Sequence, residues 1–129
     1  MIKTIILDTN FLMIPGQFGI DIFSELARLC AFRYKLAVVD RSLEELASLA
    51  GRRGKAGAAA RLALGLARQK ALKIIKTKAR KADEAVLQAV QASPKLWVVA
   101  TQDRALKARL RALGVAVISL RAKAKLILG

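Results

Sequence analysis

Four carboxylates, Asp8, Glu45, Asp83 and Asp103, are spaced along this chain so that each falls at the end of a strand-like run or near the start of a helix-like one. Only nine acids stand against 24 lysines and arginines, so acids kept at such positions are poorly explained as surface filler. Carboxylates gathered at one place would suit a hard divalent cation, which prefers carboxylate and water oxygens. Composition removes other chemistries. There is no histidine and a single cysteine, Cys30, which excludes His general bases, Ser-His triads and His- or Cys-rich zinc sites.

Bringing the four together is a task for the elements between them. Short β-branched runs alternate with longer Ala/Leu-rich stretches, the pattern of βα units around a parallel sheet. Strands are expected over residues 3–7, 35–39, 72–75, 96–100 and 115–119. Helices are expected over 20–32, 43–50, 56–69 and 82–92, and again after Asp103. Apolar residues recur at helical spacing in the first (Ile22, Phe23, Leu26, Leu29, Cys30) and the last (Leu106, Leu110, Leu113). Gly51-Arg52-Arg53-Gly54 reads as a short flexible connection, and Pro94 fits a helix that has already ended. In such a sheet ligands sit beyond the strand carboxyl ends, at the point where strand order reverses, and Asp8 and Asp103 follow the two strands expected there.

At 129 residues one domain is expected over 1–129, long enough to bury a core. The longest uncharged stretch, residues 9–20, contains Pro15 and Gly16, so no membrane span is expected. Asp8 interrupts the opening apolar run too early for a signal peptide, which, with one cysteine, points to a cytoplasmic chain. The formal net charge of +15 favours polyanions, nucleic acid ahead of anionic membrane.

Each acid also has a plainer role open to it. Asp8 could start a turn with Thr9 and Asn10. Asp83 and Asp103 could serve only as helix-start acids. Ser42-Leu43-Glu44-Glu45 fits a capping box in which Glu45 would return to the Ser42 amide. Asp21, Asp40 and Glu25 suit helix-start or exposed-face roles, with Glu44 and Glu84 as solvated neighbours.

Taken in order, Ile5-Ile6-Leu7-Asp8-Thr9-Asn10, Ser42-Leu43-Glu44-Glu45-Leu46, Ala82-Asp83-Glu84-Ala85-Val86-Leu87 and Val99-Ala100-Thr101-Gln102-Asp103 resemble the signature of PIN-domain nucleases across essentially the whole chain. The likeness is to the archaeal and eukaryotic branch that includes rRNA-processing endonucleases, with VapC-type toxins as relatives. The resemblance implies a three-layer α/β/α fold with a central, mainly parallel five-stranded sheet and an acidic pocket for Mg²⁺ or Mn²⁺. It carries the acidic positions onto Asp8, Glu45, Asp83 and Asp103, the hydroxyl position onto Thr101, and a polar pocket position onto Asn10. It implies RNA cleavage leaving 5′-phosphate and 3′-hydroxyl ends, and a homodimer by analogy. The family often has a further acid near the last one; here Gln102 and Arg104 flank Asp103 instead, which bears on a second metal position. Two alternatives stay open: a noncatalytic RNA-binding or ribosome-assembly factor on the same fold, and a VapC-type toxin held by an antitoxin.

The basic residues are distributed as an RNA grip would need. Between Leu46 and Ala82 there is no acid, while Arg52, Arg53 and Lys55 cluster with further bases. Arg104, Lys107 and Arg111 share a side of the helix after Asp103. A merely solvated face is the plainer account, but heat-adapted surfaces gain both signs rather than one. Gly51-Arg52-Arg53-Gly54-Lys55 lacks the Walker A order. Phe11, Phe18 and Trp97 are expected in the core, since nothing interleaves them with bases as stacking platforms require.

Overall fold

A computed structural model describes residues 2–122 and 125–129. The chain runs β1 (Lys3–Leu7), α1 (Thr9–Leu12), α2 (Ile14–Phe18), α3 (Ile22–Leu29), β2 (Tyr34–Val39), α4 (Asp40–Ala50), α5 (Gly54–Gln69), β3 (Lys73–Ile75), α6 (Ala82–Val90), β4 (Trp97–Ala100), α7 (Arg104–Ala112), β5 (Ala116–Arg121) and β6 (Lys125–Leu128), with a 3₁₀ turn at Pro94–Leu96. The sheet order is β3-β2-β1-β4-β5-β6, parallel except for the β5–β6 pair.

Alternation along the strands explains the three layers. In β1, Ile5 and Leu7 face one core with Val38, Val98, Ala100 and Ile118, which α1 to α5 cover. Ile6 faces the other with Ala37, Val39, Val99 and Val117, covered by Val86 and Val90 of α6 and Leu106 and Leu110 of α7. A strand buried on both faces must be apolar at every position, and β1 ends in three residues that are fully buried. Order reverses between β1 and β4, whose register pairs Leu7 with Ala100, so the residues after each emerge side by side.

The structure departs from the expected elements in four places. The sheet has six strands rather than five. β6, which no expected strand covers, is only four residues long and begins at the end of the basic stretch 121–125, so its alternation is too short to read; Lys123 in that stretch lies outside the described residues. Residues 9–20 form α1 and α2, too short for an apolar period to show, with Pro15 in the first turn of α2 where its missing N–H costs nothing. Leu113 is 40 % exposed at the end of α7 and Phe18 is 44 % exposed, so neither belongs to the core, whereas Phe11 is fully buried. The α4–α5 connection is pinned rather than flexible: the Arg61 guanidinium donates to the carbonyls of Ala50 (2.8 Å) and Arg52 (3.3 Å), satisfying groups that α4 leaves open at its end.

Candidate active site

Asp8 and Thr101 are the first residues beyond β1 and β4, and the backbone locks them. The Asp8 N–H donates to the Ala100 carbonyl (2.9 Å) and the Thr101 N–H to Ile118 (3.0 Å). From there a chain of polar contacts spreads. The Thr101 hydroxyl donates to Asp8 Oδ2 (2.7 Å) and accepts from the Asp103 N–H (3.1 Å). The Asn10 amide donates to Asp8 Oδ2 (3.3 Å), and its oxygen accepts the Gln102 N–H (2.8 Å). Asn10 and Thr101 therefore orient Asp8.

Burial pushes the Asp8 carboxyl upward from its ordinary pKa, and the neighbouring charges of Glu45 and Asp103 add to this. The Thr101 hydroxyl and the Thr9 amide oppose it. Asp8 is 4 % exposed, and like charges close by disfavour its ionised form. A cation at its free face would relieve that.

The remaining acids arrive from three helices. Asp103 caps α7, its Oδ1 accepting the Leu106 N–H at 3.1 Å, so the plain helix-start role is real. It does not exclude a pocket role, because a carboxylate has two oxygens and the cap uses one. Asp83 sits in the first turn of α6 and accepts the Glu84 N–H (2.9 Å). Glu45 does not form the capping box. Helix α4 begins at Asp40, two residues before Ser42, which is buried inside it with its hydroxyl unpartnered. Glu45 instead accepts the Thr9 hydroxyl at 2.6 Å, a link across the fold from α1 to α4.

Asp8, Glu45, Asp83 and Asp103 all line one open cavity of 390 Å³, shared with Thr9, Asn10, Met13, Gln17, Leu49, Lys81 and Ala82. Among the described residues no three acids already form a metal-binding cluster. The donor chemistry nonetheless fits a hard cation. Mg²⁺ commonly uses one or two carboxylates, several waters and substrate phosphates rather than an all-protein cage, and an open pocket leaves room for them.

Thr9 and Gln102 carry roles that sequence reasoning misses. Thr9 reads only as a turn residue; it follows Asp8 directly, but its hydroxyl donates to Glu45, 36 residues away. Gln102, which reads only as a replaced acid, accepts the Leu120 N–H (2.6 Å) and donates to the Leu120 carbonyl (3.3 Å), clamping the pocket to β5. Arg52, Arg53, Lys55, Arg104 and Arg111 are exposed, Lys107 is half-buried, and none of the six lines the cavity.

Asp40 does more than start α4. It accepts from the Thr77 amide and hydroxyl, both at 2.9 Å, tying down the segment that leads to Asp83. Partial burial works against its charge, but the bonds from Thr77, then the Arg41 amide and guanidinium, outweigh it and hold the pKa below the usual value. A lowered folded-state pKa contributes stability that is present above the ordinary carboxylate range and lost as pH falls below it. The stability difference between wild type and Asp40→Asn should therefore be constant near neutral pH and shrink below about pH 4. Urea melts at both ends of that range check this, and a difference that grew on acidification would refute it.

A family model described as a PIN like domain matches residues 5–123. The structure of the PIN domain endonuclease Utp24 superposes with a TM-score of 0.80 at 27 % identity, over 97 % of this chain and 90 % of that one. A domain of a functionally unknown protein from Methanocaldococcus jannaschii DSM 2661 superposes at 0.57 with 18 % identity, over 93 % and 92 %, a likeness of fold alone. No curated protein matches the sequence.

Proposed function

The chain belongs to the PIN-like domain family, and from that premise we propose that it is a single-domain, Mg²⁺- or Mn²⁺-dependent endoribonuclease that cuts structured or ribosomal RNA in the cytoplasm. The observation that carries this reading is the convergence of Asp8, Glu45, Asp83 and Asp103 on one open cavity at the β1/β4 reversal. The likeness to the PIN domain endonuclease Utp24 supports it.

Asp8 and Asp103 are the direct ligands in this reading, with Asp83 and Glu45 holding a second ion or orienting water. A divalent ion, when bound by these residues, would acidify a water and stabilise charge on the phosphate oxygens. Asp8 stays fixed because Thr101 and Asn10 hold one of its oxygens. In this reading Glu45, whose carboxylate accepts the Thr9 hydroxyl, takes a proton from water entering the cavity. RNA incubated with wild type and Asp8→Asn, in Mg²⁺, Mn²⁺ or EDTA, tests the proposal. Cleavage confined to wild type with metal supports it; RNA binding without cleavage under any condition would replace it with an assembly factor.

The grip on RNA is assigned to Arg52, Arg53 and Lys55 together with Arg104, Lys107 and Arg111. Replacing Arg52, Arg53 and Lys55 together with Ala should weaken many RNA sequences by a similar factor. The slope of log affinity against log salt should shrink by up to about 2, since each phosphate of single-stranded RNA that a base neutralises adds about 0.7. Filter binding across a salt series measures this. Unchanged affinity and slope would move the grip to α7 and residues 121–125.

A further inference from the structure

Four carboxylates around one cavity create a difficulty that the metal alone does not remove: the strand that must enter carries a negative charge at every phosphate. Lys81 is the only basic residue lining that cavity among the described residues. It is exposed, and it makes no ion pair with any of the four acids. A lysine beside four carboxylates that pairs with none of them leaves its ammonium available to a ligand.

Its position is set by the structure around it. Lys81 is the N-cap of α6 in extended conformation, and its carbonyl accepts the Ala85 N–H (3.0 Å). The segment before it is tethered twice, by Thr77 to Asp40 and by the Lys78 N–H to Gln88 Oε1 (3.1 Å). Its neighbour Arg80 lines a separate cavity with Glu84, Gln88 and Arg109. Of the bases in this acid-free stretch, Lys81 alone among the described residues is delivered to the pocket wall. The Ala82 turn of α6 lines the cavity beside it, and the positive end of a helix adds to the same field.

We infer that Lys81 is a substrate-positioning residue that binds a backbone phosphate of the RNA strand entering the acidic cavity. Its task differs from that of Arg52, Arg53 and Lys55. Those lie outside the cavity and would raise affinity for any RNA, whereas Lys81 sets where the strand lies relative to Asp8. Its contribution should therefore fall on turnover as well as on the salt slope.

The part concerning rate rests on the nuclease reading; the part concerning binding does not. Binding of a single-stranded RNA oligonucleotide is measured in the Asp8→Asn protein, in which cleavage is blocked, from about 50 to 200 mM salt. Adding Lys81→Gln should reduce the salt slope by about 0.7, the share of one phosphate, and Lys81→Arg should restore it. In otherwise wild-type protein with Mg²⁺ or Mn²⁺, Lys81→Gln should lower kcat by about 10- to 100-fold, with Lys81→Arg recovering most of it. The melting temperature should not change, because the side chain is exposed and unpaired. An unchanged slope, or a loss of kcat accompanied by an equal loss of folded protein, overturns the assignment. A wild type that cuts no RNA while Lys81→Gln still lowers the slope overturns the nuclease reading and supports the phosphate contact. RNA that fails to bind at all overturns both.

Discussion

Replacing Asp8 with Asn should lower metal-dependent RNA cleavage by a factor on the order of 10² to 10³ or more, with the fold intact and RNA still bound. The substitution preserves shape in a position with almost no solvent access, and the Thr101 and Asn10 groups beside it can rearrange their hydrogen bonds to an amide. What it removes is one negative charge, the one most buried in the pocket and the one disfavoured by Glu45 and Asp103. Without metal, the variant should consequently melt at the same temperature as wild type or higher. With Mn²⁺ or Mg²⁺, wild type should gain stability with concentration, because the ion binds the folded form, and the variant should gain less. Gel assays with EDTA controls and thermal melts across a metal titration give both readouts. Undiminished cleavage, or equal stabilisation by metal, would remove Asp8 from the site. Asp103→Asn is a less clean probe of ligation. Its carboxylate also caps α7, but Asn caps about as well as Asp, so a stability loss should be small and a cleavage loss would report on the pocket.

The second large effect is structural and has a built-in control. A Cβ at Gly57 would lie 1.9 Å from the Arg52 carbonyl oxygen and 2.8 Å from its carbon, both backbone atoms that cannot swing aside. Gly57→Ala should destabilise the protein by about 2–4 kcal/mol even though alanine is the better helix former, a fall in Tm on the order of 10 °C. Gly65, in the same helix, would meet nothing within 4 Å. Gly65→Ala should raise stability by about 0.5–1 kcal/mol. Calorimetry on the two variants distinguishes close packing from helix propensity, and shifts of the same sign would contradict the geometry. The close approach also bears on the proposed RNA grip, since Arg52 and Arg53 hang from the backbone that Gly57 admits and Arg61 pins.

The sequence disclosed this fold wherever the signal was local. β1 coincides with the expected residues 3–7 because a strand buried on both faces is apolar throughout, and the shifts elsewhere, such as β2 starting at Tyr34, are of the size that fraying ends produce. Helices α5 and α6 are legible from composition and from the breaks that bound them. What stays hidden depends on partners distant in sequence. Glu45 has a convincing local explanation, and only the arrival of Thr9 across the fold shows that the capping box is not used. Gln102 looks like a replaced acid until Leu120 is seen to hold both ends of its amide. Lys81 is one base among many in its stretch, since nothing in spacing separates it from Arg80, which lines a different cavity.

The reversal of strand order beside β1 also sets a timetable for synthesis. β1 leaves the ribosome well before one of its two neighbours, β4, which begins only at Trp97, and the clamp behind that neighbour is completed at Leu120. A nascent chain that stops short of β4 carries Asp8, Glu45 and Asp83 but has neither Thr101 to aim Asp8 nor Asp103 to close the pocket. No such intermediate can complete the acidic pocket. Under the proposed function, a chain with a net charge of +15, made on a particle built of RNA, remains unarmed until β4 and β5 have both emerged to dock beside β1.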